Sequence, residues 1–97
     1  MITDREKQNI QQFYKAILSL KTVDECHEFF DDNATIKELL DLSSRLEVAR
    51  MLSEGKVFNE ISKETGASSA TISRVNKCLS YGNGGYETVL KRLKHKK

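Results

Sequence analysis

Residues Glu64–Leu79, ETGASSATISRVNKCL, decide the fold of the whole chain. Ile72, Val75 and Leu79 recur at helical spacing, and Ser68 is a side chain that accepts the first free amides of a helix. Gly66 falls where the chain must turn through a left-handed conformation. Upstream, KVFNEISKETG (Lys56–Gly66) reads as a short helix with Phe58 and Ile61 inside. Two short helices joined by a glycine turn predict a helix-turn-helix over about residues 58–80. The inward residues are then Ile61, Ile72 and Val75, and Ser68, Ser69, Ala70, Ser73, Arg74 and Lys77 face outward.

The outward set has a chemical logic. Small side chains let a helix N-terminus come close to the floor of the DNA major groove. There hydroxyls bond base edges or phosphates, and an alanine methyl touches thymine. An exposed helix that needed only to be soluble would carry Glu and Lys at those positions. Few cations lie on the helix itself, so phosphate contacts fall to Arg74, Lys77, Lys63, Lys56 and the basic C-terminal tail.

Working outward, the rest of the chain is also helical in pattern. Ile10, Phe13, Tyr14, Ile17 and Leu18 form the stripe of a first helix over Thr3–Leu20. Thr22 with Glu25, and Thr35 with Glu38, have the spacing of capping boxes that open a second and a third helix. Ser43 or Ser44 is read as the start of a fourth, which runs through Leu46, Ala49 and Leu52 and stops at Gly55. With the helix-turn-helix pair and a last helix carrying Tyr86, Val89, Leu90 and Leu93, the expectation is seven helices in one domain spanning residues 1–97. The chain has no proline and no alternating β-branched pattern, so the fold class is all-α.

Composition narrows the function. With 38% hydrophobic and 31% charged residues the chain is globular rather than disordered. No apolar run approaches the roughly 18 residues of a membrane span. The N-terminal stretch lacks a signal-peptide core, which leads to the expectation of a cytoplasmic protein. Residues 1–54 carry a net −4 and residues 55–97 a net +6. That asymmetry suits either a polyanion-binding C-terminal half or a basic solvated face. Cys26 and Cys78 have no metal-ligand spacing, and Cys26 is expected to be buried on the stripe Val23, Cys26, Phe29, Phe30. His27 and His95 have no partner for catalysis, so neither a catalytic residue, a metal site nor a cofactor is expected.

The first helix poses a burial problem. Its apolar stripe is the longest in the chain, and the other short helices of so small a monomer offer little to cover it. A second copy would supply the missing surface, and homo-oligomers are most often two-fold dimers.

TIKELLDLSSRLEVARMLSEG (Thr35–Gly55) followed by FNEISKETGASSATISRVNKCL (Phe58–Leu79) resembles the Trp repressor family, over roughly residues 35–80. GASSATISRVNKCLSYGNGGYETVL (Gly66–Leu90) is closer still to the YerC/YecD subgroup, which the chain resembles over nearly its whole length. ATISR (Ala70–Arg74) is the most specific part. The resemblance implies an all-helical, intertwined homodimer with two recognition helices, in which base readout runs largely through water. It implies that Ser68, Ser69, Ala70, Thr71 and Ser73 face DNA, and that Arg45 and Arg74 match two arginines flanking a bound tryptophan. Two departures bear on that ligand: Val75 stands in place of a glycine that leaves room for the indole, and Cys78 in place of a serine.

The sequence therefore reads as a sequence-specific transcriptional regulator that binds double-stranded DNA as a homodimer, without tryptophan as corepressor. Its DNA-binding residues are Ser68, Ser69, Ala70, Thr71, Ser73, Arg74 and Lys77. The alternative is a dimeric helical adaptor whose helix-turn-helix contacts another protein. The basic C-terminal half and the hydroxyl-rich helix favour DNA.

Overall fold

The computed structural model describes residues 1–95 and is all-α. Its six helices are α1 (Asp4–Ser19), α2 (Val23–Asn33), α3 (Ile36–Ser53), α4 (Phe58–Thr65), α5 (Ser69–Tyr81) and α6 (Gly85–His95). The chain divides into two compact units, Met1–Ile36 and Lys37–Lys97.

In the first unit the helix starts are built as their sequences dictate. Thr3 Oγ1 accepts from the Glu6 N–H at 3.1 Å, and the Glu6 carboxylate accepts from the Thr3 N–H at 2.7 Å, a complete capping box. Thr22 Oγ1 likewise accepts from the Glu25 N–H at 3.0 Å. The Glu25 carboxylate, however, accepts from the Lys21 N–H at 2.8 Å, one residue further back than a capping box requires. Phe13 of α1 meets Phe29 and Phe30 of α2 at ring-centroid distances of 5.9 and 6.4 Å, and the last two meet edge-on at 5.4 Å. Tilted and edge-on pairs put ring edges against ring faces, the favoured arrangement. These rings are only half-buried, and no residue of α1 or α2 is fully buried.

The expected burial of Cys26 does not occur. The α1 contact gathers at the C-terminal end of α2, so Cys26 is an exposed free thiol and Val23 is 84% exposed. Cys78 is also exposed.

The second unit holds the core. Val48, Ala49 and Met51 of α3, Ile61 of α4, and Ile72 and Val75 of α5 are buried together. Leu52, Ala67, Leu79, Tyr86 and Leu90 pack around them. Phe58, expected inside, is 39% exposed at the first position of α4, ahead of the turn that reaches the core.

The two helices expected between Thr35 and Gly55 are one. Ser43 Oγ donates back to the Leu40 carbonyl at 3.0 Å. A serine that bonds the preceding turn is accommodated inside a helix instead of opening a new one. α3 then closes in a Schellman motif: Lys56 N–H donates to the Met51 carbonyl at 3.1 Å, Gly55 N–H to that of Leu52 at 3.0 Å, and Gly55 takes φ 85°.

Candidate nucleic-acid interface

The connection from α4 to α5 is three residues long and tightly bonded. Gly66 takes a left-handed conformation (φ 74°, ψ 2°), and its N–H donates to the Ser62 carbonyl at 2.9 Å. Thr65 Oγ1 donates to the Ile61 carbonyl at 2.7 Å and accepts from the Ala67 N–H at 3.1 Å. Ser62 Oγ donates to the Ala67 carbonyl at 3.0 Å. Ser62 and Thr65 thus hold the turn that aims α5, a role the sequence reading did not assign them. Two hydroxyl residues in the last turn before the glycine were the available signal.

Ser68 begins α5. Its Oγ accepts from the Thr71 N–H at 3.1 Å and lies 3.1 Å from Thr71 Oγ1, to which it donates. Ile72 and Val75, one turn apart, then anchor the helix in the core, with Leu79 half-buried beyond them. The opposite face carries Ser69, Ala70, Ser73, Arg74 and Lys77, all exposed. Ala70, Arg74 and Lys77 lie in one row at i, i+4, i+7 spacing, with Ser69 and Ser73 in the row beside it. The seven residues read from sequence thus fall into two groups. Five form an open face, and Ser68 and half-buried Thr71 are tied to each other as the helix cap.

Charge is distributed unevenly around this face. On α3, Arg50 is held between Glu47 at 2.6 Å and Glu54 at 2.7 Å. Its hydrogen bond to Glu47 holds that carboxyl below the usual range, and the two carboxylates together raise the guanidinium's pKa. Lys37 pairs with Asp41 at 3.1 Å and Lys56 approaches Glu60 at 3.8 Å. Lys63, Arg74, Lys77 and Arg45 enter no ion pair among the described residues. Lys56, read from sequence as a phosphate contact, therefore has a carboxylate neighbour, while the cations of α5 have none.

An open cleft of about 810 Å³ lies between the first half of α3 and the stretch Glu64–Thr71. Half-buried Arg45 lines it beside Ser44, with Ser68 and Thr71 opposite. Arg74 and Val75 are not among its lining residues. Arg45 thus lines the cleft, and Arg74 belongs to the open face of α5. Val75 is 2% exposed, its side chain taken up by the core. Among the described residues no cluster of His, Cys, Asp or Glu could hold a metal, and no helix is long and apolar enough to cross a membrane.

The Trp repressor protein family matches residues 8–94, which includes every element of this interface. The chain belongs to the Trp repressor family. It is 56% identical over 85 residues to the uncharacterized protein YerC of Bacillus subtilis (strain 168), covering 88% of this chain and 82% of that protein. A TrpR-like protein from Eubacterium eligens ATCC 27750 shares its fold with a TM-score of 0.87 at 53% identity, over 91% of both chains. A protein proposed to be a Trp repressor, from Staphylococcus aureus, superposes with a TM-score of 0.87 at 41% identity, over 96% of both. Trp repressor-like proteins are helix-turn-helix DNA-binding regulators and not enzymes, which places this chain outside catalysis.

Proposed function

We propose that the chain is a sequence-specific transcriptional regulator that binds double-stranded DNA as a homodimer, each copy one Trp repressor-like domain working in the cytoplasm. The observation that carries this reading is the two-sidedness of α5. Ile72 and Val75 fix the helix to the core, while Ser69, Ala70, Ser73, Arg74 and Lys77 form a small-residue face with unpaired cations. That is the surface a major groove accepts. In this reading Ser69, Ala70 and Ser73 approach the bases, and Arg74 and Lys77 hold phosphates. Ser68 and Thr71 present the capped N-terminus of the helix, whose partial positive charge favours an anion. Arg45 faces the backbone from the cleft wall.

The reading excludes tryptophan as corepressor. Val75 occupies the position that the family resemblance assigns to a glycine beside the ligand, and its side chain belongs to the core. The homodimer is supported by the absence of any buried residue in α1 and α2 and by the exposure of Leu18 at 83%. Selection of bound sequences from a random duplex library, repeated across a salt series, tests the proposal. An enriched motif whose affinity falls with salt is expected. A library with no enrichment and no salt-dependent binding transfers the helix-turn-helix to a protein partner.

A further inference from the structure

We propose that the turn joining α5 to α6 is a site of spontaneous covalent modification, at which Asn83 converts to aspartate and isoaspartate. Asn83 is exposed, lies outside both helices, and its side chain enters no hydrogen bond among the described residues. The next residue is Gly84, with φ 83°, and nothing lies within 4 Å of the place a Cβ would occupy there. Its N–H donates to none of the backbone bonds that frame the turn. The side-chain amide and the following main-chain nitrogen are therefore both accessible and free to approach each other.

The chemistry needs only water. The Gly84 nitrogen gives up its proton and attacks the Asn83 side-chain carbonyl carbon. A carbon–nitrogen bond forms to the main chain, the bond to the side-chain nitrogen breaks, and that nitrogen leaves as ammonia. Water then opens the five-membered imide at one carbonyl or the other. One route gives aspartate; the other gives isoaspartate, with an extra carbon in the main chain. Either product places a carboxylate just ahead of α6.

The other four asparagines supply the contrast. Asn9, Asn33, Asn59 and Asn76 all lie within helices. There the helical dihedrals hold the following nitrogen away from the side chain. Asn33, the last residue of α2, is followed by Ala34, whose N–H is bonded to the Phe30 carbonyl at 2.9 Å.

The test is to hold the native full-length protein at mildly alkaline pH and map all five asparagines by peptide mass spectrometry. Enzymatic methylation of isoaspartyl residues is the second readout. Asn83 should convert about tenfold or more faster than Asn76, asparagine being a thermolabile residue whose fate local structure decides. The rate should rise with pH, and an Asn83→Gln chain should lose the isoaspartyl signal. Conversion at Asn83 no faster than at Asn76, or an isoaspartyl signal unchanged in Asn83→Gln, overturns the proposal.

Discussion

Arg74 and Val75 are consecutive residues on different sides of α5: the valine is sealed in the core with Ile61 and Ile72, and the arginine stands in solvent. A step of about 100° along a helix separates them. That step divides α5 into a side that is held and a side that, in the proposed function, reads DNA.

The first prediction concerns the held side and the ligand. Burying an aromatic side chain covers about 150–250 Å², or about 4–6 kcal/mol at roughly 25 cal/mol per Å². Most of that driving force is lost where a valine already fills the volume. Calorimetry with L-tryptophan should show no binding at micromolar concentration, and operator affinity should not change on adding it. Val75→Gly is the variant expected to gain a tryptophan response, at a cost in stability. Micromolar tryptophan binding that strengthens DNA binding by the unaltered protein would falsify the closed site.

The reading side makes a separable prediction. Arg74→Ala and Lys77→Ala should each weaken binding to all sequences and lower the salt slope by about one. Ser69 and Ala70 substitutions should leave the slope alone and change which sequences are enriched. The slope comes from titrations at several salt concentrations, the preference from library selection. An Arg74→Ala variant that keeps both slope and affinity removes the phosphate contact.

Truncation inside the core should be far more costly to stability than any change on the reading face. Ile61→Ala and Ile72→Ala each remove a fully buried side chain and should destabilise by about 2–5 kcal/mol. Ser69→Ala and Ser73→Ala should fall within about 0.5 kcal/mol of the parent protein. Urea denaturation measures both sets.

For assembly, light scattering at low micromolar concentration should return twice the chain mass of 11.1 kDa. Phe13→Asp with Ile17→Asp places two charges on the half-buried stripe of α1 and should abolish folding and dimerisation together. A folded species of single-chain mass in the unaltered protein refutes the dimer.

Acid should act on α3 in a definite direction. The hydrogen bond from Arg50 holds the Glu47 carboxyl below its ordinary range, so its stabilising contribution is complete above the unfolded carboxylate pKa. It is lost as pH falls through the lower folded-state value. The side chains of both partners remain nearly half exposed, so the effect is small and salt weakens it. In thermal melts, the gap between the parent and Glu47→Gln should narrow as pH drops through that window.

Much of this was legible in the sequence because residue type and spacing agreed. Gly66 at the turn, Ser68 at the cap and Ile72 with Val75 inside all stand where the pattern put them. Ser43 and Ser44 misled because a serine suits a helix start and a helix interior alike. Only the acceptor its hydroxyl finds, here the Leu40 carbonyl, decides between them. Cys26 misled because its stripe was apolar, while the aromatic contact that would have buried it gathers about one turn further along α2. The place of Arg45 in a cleft wall opposite Ser68 and Thr71 was beyond reach, since it depends on how the start of α3 packs beside the turn.

The hydroxyls of Ser69 and Ser73 and the methyl of Ala70 make no hydrogen bond or core contact among the described residues. Substitutions there escape the purge that removes destabilised proteins, because stability does not register them. Related chains can therefore drift in target preference one residue at a time, through intermediates that all fold. The same freedom is closed to Ile72 and Val75, where each change must be compensated elsewhere. Target preference in proteins of this build should diverge faster than the core that carries it.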